Sequence, residues 1–84
     1  MNYPIVVDVT LREGIADPEG ATIERALPAL GFNGVTRVRA GKSFRMNIDA
    51  KDESSALATA TALAQRLLSN PVIENATARS AAKE

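Results

Sequence analysis

Val35-Thr36-Arg37-Val38-Arg39-Ala40-Gly41-Lys42-Ser43-Phe44-Arg45-Met46-Asn47-Ile48-Asp49-Ala50 is the stretch on which the fold turns. In its second half Phe44, Met46 and Ile48 share one face by a period of two, and Thr36, Val38 and Ala40 match them in the first half. The pattern reads as a β-hairpin. A two-residue turn at Gly41-Lys42 sets Arg39 opposite Phe44, on the wrong face. A three-residue loop, Gly41-Lys42-Ser43, or a bulge sets Ala40 beside Phe44 and Val38 beside Met46. That register predicts Arg37, Arg39 and Arg45 together on the outer face, with Arg39 across from Arg45. Like charges so placed repel unless something acidic answers them.

Working outward, residues 5–11 alternate, with Ile5, Val7, Val9 and Leu11 on one side and Val6, Asp8, Thr10 and Arg12 on the other as the pattern runs on. They predict a half-buried strand. Asp17-Pro18 is a helix start, a capping carboxylate followed by a preset φ. Ile23, Ala26, Leu27 and Leu30 continue at helical spacing, Pro28 should kink or shorten the last turn, and Gly31 is the residue that ends it. Asp52 caps a second helix over 53–68 with a stripe of Leu57, Ala60, Ala64 and Leu67, widened by Leu63 and Leu68. Asn70 is read as its left-handed terminator, and Pro71 prevents continuation. Residues 72–79 form a last strand whose facing stays open, and 80–84 a frayed tail. The order β-α-β-β-α-β predicts an α+β fold in two layers: a four-stranded antiparallel sheet with both helices on one face, a ferredoxin-like topology. One domain spans 1–84.

Composition narrows the chemistry. The 84 residues contain no histidine and no cysteine. Histidine is the side chain that titrates near neutrality, and cysteine is the strongest nucleophile and softest metal ligand. A Cys/His zinc site and a Ser–His or Cys–His couple are therefore excluded. Ten basic and ten acidic residues cancel, which argues against a nucleic-acid or membrane-surface protein. No apolar run reaches membrane-spanning length, Met1-Asn2-Tyr3-Pro4 lacks a charged leader, and the expected location is the cytoplasm. A small aliphatic core makes a homodimer or higher homo-oligomer an expectation.

Three segments carry more than architecture. Asp17-Pro18-Glu19-Gly20 opens the first helix, Ala40-Gly41-Lys42 sits at the hairpin, and Asn70-Pro71-Val72-Ile73-Glu74 leads into the last strand. Each has a plain reading as a cap, a turn and a helix stop. An ACT-like regulatory module, binding a small ligand at a dimer interface, also fits the architecture. In this order and spacing, however, Asp17, Pro18 and Gly20, Ala26-Leu27, Leu30-Gly31, Val38-Arg39, Gly41-Lys42, Leu67-Leu68 and Asn70 to Glu74 resemble the PurS family. This is the small subunit of phosphoribosylformylglycinamidine (FGAM) synthase. The resemblance runs from the first strand to Glu74, with two departures: Glu19 where glutamine is usual, and Asn75-Ala76 in place of an acid and an aromatic.

The resemblance implies a place in purine biosynthesis. The family's reaction converts formylglycinamide ribonucleotide, glutamine and ATP to formylglycinamidine ribonucleotide, glutamate, ADP and phosphate. A PurQ-type glutaminase subunit releases ammonia and a PurL-type synthetase, which uses ATP and Mg, consumes it. The small subunit is non-catalytic alone, binds no cofactor and bridges the other two within the ligase complex. Partner contacts are expected at Arg37, Arg39, Lys42, Arg45, Asn70, Pro71 and Glu74. Asp17, Pro18, Gly20, Gly31 and Gly41 are expected to serve structure.

Overall fold

Among the described residues, every strand pairing runs through β1 (Asn2–Leu11). A computed structural model describes residues 1–81. After β1 come α1 (Pro18–Ala26), a 3-10 turn (Pro28–Leu30), β2 (Gly41–Asp49), α2 (Glu53–Leu63), a π-helical turn (Ala64–Leu68) and β3 (Glu74–Ser80). The sheet order is β2-β1-β3, antiparallel throughout, with Val7 opposite Phe44 on one side and Ala78 on the other. The α+β class and the antiparallel sheet with two helices are as expected from the sequence.

Three strands form among the described residues, and the expected fourth does not. Residues 35–40 adopt no regular structure and run along α1 instead. Their backbone donors are already spoken for. Val38 N–H donates to Glu24 Oε1 at 3.0 Å and Ala40 N–H to Asp17 Oδ2 at 2.6 Å. Arg37 sits in the left-handed region (φ 61°), which breaks the extended run that a hairpin arm needs. Gly41 is a residue of β2, opposite Thr10, and not a turn. A side chain there would put a Cβ 2.8 Å from the Val9 carbonyl oxygen, so close strand approach explains the glycine.

The core lies between the sheet and α2. Ile5, Val7 and Val9 are at most 1% exposed and meet Ala56, Ala60 and Ala64, which are equally buried. Three alanines one turn apart let the helix axis approach the β-branched strand closely. Leu57, Ala60, Ala64 and Leu68 pack here as expected, Ala56 joins them, and the expected Leu67 does not. The π-turn is the reason: Ser69 N–H bonds to Ala64 O five residues back (2.9 Å), swinging Leu67 into solvent and Leu68 onto the core. In β3, Ala76 and Ala78 face this core. Asn70 is not left-handed, and Ser69 ends the helical run. Nor does fraying begin at Ser80, which pairs with Ile5, while Ala81 N–H reaches Pro4 O at 2.9 Å; residues 82–84 lie outside the described residues.

Helix α1 departs most from expectation. It starts and stops where the sequence says, with Asp17 accepting from Gly20 N–H (3.0 Å), helical geometry broken after Ala26 next to Pro28, and Gly31 left-handed at φ 91°. Yet it does not lie on the sheet beside α2. Ile23 is 44% and Leu30 69% exposed. The radius of gyration is 16.0 Å, against about 12 Å for a compact chain of this length, and the long dimension is 51 Å. A nine-residue strand spans only about 30 Å. The remainder is the arm made of α1 and residues 28–40. No helix among the described residues is long and apolar enough to cross a membrane.

Candidate interaction surfaces

The arm is fastened by side chains. Asp17 holds two backbone donors at once, Gly20 N–H at the helix start and Ala40 N–H in the returning chain. Glu24, one turn further along, holds Val38 N–H, and Arg39 donates to the carbonyls of Ile15 (3.0 Å) and Arg12 (3.4 Å). The sequence placed Arg37 and Arg39 on the outer sheet face. They lie instead at a cleft of about 390 Å³ beside α1, facing Glu13, Asp17 and Glu24. Arg37 is 4.0 Å from Glu13, with both side chains largely in solvent, so that pair adds little to stability.

The Gly20 N–H and then the Ala40 N–H hold the Asp17 carboxyl below its ordinary value of 3.8, with the nearby Arg39 charge acting in the same direction. Because the folded value is depressed, this contribution to the arm's order is fully present above pH 3.8 and is lost as pH falls through the lower folded value. In amide NMR the Gly20 and Ala40 signals should titrate together, with a midpoint below 3.8, and Asp17→Asn should abolish the shared step. A midpoint at or above 3.8 would contradict the bidentate role.

The outer sheet face carries Arg45 with Val6, Asp8 and Asp49, as expected, and adds Arg79. Val6 is 1% exposed although no helix covers it. The register sets it between Arg45 and Arg79, so two aliphatic stems flank it while the charges stay wet. Arg79 Nε donates to Asp8 Oδ2 at 3.0 Å, the leading reason the Asp8 carboxyl lies below its usual range, with Ser43 also donating. Arg39 is thus not across from Arg45, and the anticipated like-charge crowding is absent. Arg79 was missed by sequence reasoning because the facing of the last strand was open; Asp8, on the neighbouring strand β1, was its only signal. Glu24 was missed too, since a lone acid on a helix face carries no signal of what it will accept.

Lys42 takes a different side. It is opposite Val9, on the core-side row of β2, at the strand end nearest the arm. Asn70 to Glu74 closes on itself: Glu74 Oε1 accepts from Asn70 N–H (2.7 Å), Asn70 Oδ1 from Val72 N–H (3.1 Å), and Asn70 O from the amides of Ile73 and Glu74. Arg12 fixes the turn to β1 through Pro71 O at 2.9 Å and Ile73 O at 2.8 Å. Asn70 and Glu74 are therefore the frame of a tight turn, and what it presents is Val72, 80% exposed.

The family model described as "PurS: Phosphoribosylformylglycinamidine (FGAM) synthase" matches residues 4–82. The chain belongs to the PurS family. The PurS subunit of Mycobacterium leprae is 46% identical over 70 residues, which cover 83% of this chain and 85% of that protein. Among solved structures, the Thermotoga maritima PurS subunit superposes with a TM-score of 0.88 at 31% identity, covering 95% of this chain and 92% of that one. A chain of Thermotoga maritima PurLQS gives 0.87 at 31% identity, covering 95% and 98%. As a PurS-family member, the protein is a subunit of FGAM synthase in purine biosynthesis. These PurS neighbours share its fold along nearly the whole length.

Proposed function

We propose that this chain is the joining subunit of FGAM synthase, binding a PurQ-type glutaminase and a PurL-type synthetase so that ammonia passes from one to the other. The observation that carries the reading is the near full-length agreement with a chain of PurLQS. The site chemistry supports it. Asp8, Asp17 and Asp52 are all held more acidic than usual by hydrogen-bond donors; Asp17 and Asp52 brace backbone amides, and Asp8 holds the Arg79 side chain across the sheet. The whole chain works as one cytoplasmic domain and brings surfaces to the reaction. It binds no cofactor; ATP and magnesium belong to the synthetase.

Free ammonia is mostly protonated at neutral pH, and the ammonium ion has no lone pair with which to attack. Holding the two active sites together and limiting water along the route keeps more of it reactive. The polar outer face with Arg45 and Arg79, and the exposed Val72 turn, suit a wet interface of moderate size. An ACT-like regulator is not favoured, since the family model and the solved neighbours are PurS.

Reconstitution with separate glutaminase and synthetase tests the reading. Glutamine-dependent formation of the amidine should require this chain. Arg45→Glu and Val72→Glu should each lower it several-fold, without unfolding a core that neither residue enters. Full glutamine use in its absence, or turnover by the chain alone, would overturn the assignment.

A further inference from the structure

Asn33-Gly34 is the one asparagine–glycine pair in the chain, and it stands exposed on the return from α1, outside any regular structure. The turn gives the glycine a plain purpose. Gly34 lies in the left-handed region (φ 86°), which a residue with a side chain avoids. Its surroundings are emptier than a turn requires. A Cβ built on Gly34 would meet nothing within 4 Å, so the space beside its backbone is open. Among the described residues the Gly34 N–H has no hydrogen-bond partner, and neither has the Asn33 side-chain amide.

These are the conditions for ring closure. A backbone nitrogen attacks the side-chain carbonyl carbon of the asparagine before it when its N–H is unengaged, its own residue adds no bulk, and the backbone is free to rotate. The other asparagines fail. Asn2, Asn47 and Asn75 lie in paired strands, and Tyr3, Ile48 and Ala76 after them carry side chains. Asn70 is followed by Pro71, which has no N–H, and its Oδ1 already accepts from the Val72 amide at 3.1 Å.

We propose that Asn33 is a site of self-modification, in which its side chain closes on the Gly34 nitrogen and the chain acquires a carboxylate. Gly34 N, having given its proton to base, bonds to Asn33 Cγ. The Cγ–Nδ2 bond breaks, and the departing nitrogen takes up a proton and leaves as ammonia. Water then opens the cyclic imide at either of its carbonyls. Cleavage between Gly34 N and Asn33 Cγ leaves aspartate in a normal backbone. Cleavage between Gly34 N and the Asn33 main-chain carbonyl carbon leaves isoaspartate, whose backbone runs through the side chain. Nothing is oxidised or reduced, and solvent water is the only co-reactant.

The consequence is electrostatic and local. A chain of zero formal charge gains one negative charge. The new anion stands between Phe32 and Val35, 58% and 46% exposed, and so enters an apolar stretch of surface. Isoaspartate also lengthens the backbone by one methylene ahead of Val38 and Ala40, whose amides hold this chain to α1. The inference goes beyond the proposed function and does not rest on it, since it concerns chemistry within this chain.

The full chain, incubated at mildly alkaline pH in water enriched in heavy oxygen and digested afterwards in ordinary water, tests it. The peptide holding Asn33 should exchange NH for O, carry the heavy isotope, and separate into aspartate and isoaspartate forms. Given an L-isoaspartyl methyltransferase and labelled S-adenosylmethionine, the intact chain should take up methyl groups. Asn33→Gln keeps the amide but needs a larger ring, and it should lose both signals with its circular dichroism unchanged. The rate should rise with pH, because the attacking nitrogen must shed its proton. A peptide covering 30–37 sets the unconstrained rate, and the folded chain should come within about tenfold of it, as a backbone that needs no opening does. Slower conversion than that, conversion first at Asn47 or Asn75, or methyl uptake that persists in Asn33→Gln would each overturn the proposal. None of these outcomes bears on whether glutamine-dependent synthesis needs the subunit.

Discussion

Ala60→Leu should lower the melting temperature of the isolated subunit by roughly 4 to 24 °C, the shift expected when overpacking costs about 1–3 kcal/mol in a domain of this size. Ala60 is fully buried between Ala56 and Ala64, where α2 comes nearest to Ile5, Val7 and Val9. A leucine there has no room unless the helix lifts, and lifting uncovers the row above and below. Whole-domain stability at this length is only about 4 to 13 kcal/mol, so the loss is a large fraction. Ala62→Leu, on the exposed side of the same helix, should change stability by no more than about 0.5 kcal/mol. Equal melting of the two variants would mean that the helix stands further from the sheet than the buried alanines indicate.

Gly20→Ala should destabilise the arm, against the usual sign for a helix. Replacing glycine by alanine inside a helix normally gains about 0.8–1.0 kcal/mol. Here the new Cβ would stand 2.5 Å from the Val38 carbonyl oxygen and 2.5 Å from Asp17 Oδ2. Contacts that short do not persist, and one neighbour is backbone. The returning chain must move off α1, which takes with it the Ala40 N–H bond to Asp17. Amide exchange at Ala40 and Val38 should accelerate by an order of magnitude or more, while Val7 and Val9 in the sheet keep their protection. Faster exchange everywhere would show that the arm and sheet open as one. Unchanged exchange would show that the helix and the 38–40 chain are not in contact.

The parts of this fold that were legible in the sequence are those governed by neighbours close in the chain. Asp17 and Asp52 cap, Pro28 ends regular helix, Gly31 turns left-handed, and β1 alternates, because each outcome depends on a few adjacent residues. The hairpin at Val35–Ala50 failed for the opposite reason. Its alternation is genuine in β2, but the fate of residues 35–40 was decided by Asp17 and Glu24, two carboxylates 14 to 23 positions away that captured the amides a strand would have used. Period-two patterning cannot report that competition. The site suffered most. Arg37, Arg39 and Arg45 looked like one cluster only within the hairpin register, and with it gone they occupy two separate surfaces. The turn from Asn70 to Glu74 was found as a motif, but its product, a valine pushed into solvent, appears only once Glu74 is seen to close back on Asn70.

Because Asp17 and Glu24 fasten the arm to itself while Arg39 ties it to the carbonyls of Arg12 and Ile15, with no shared apolar core among the described residues, the polypeptide should unfold as two cooperative units of unequal strength. Heating a dilute sample should melt the smaller one first, leaving β1, β2, β3 and α2 intact. Calorimetric enthalpy should then exceed the van't Hoff value, a signature that a single all-or-none transition does not produce. What looks like an appendage is thereby free to be reordered without risking the sheet that carries it.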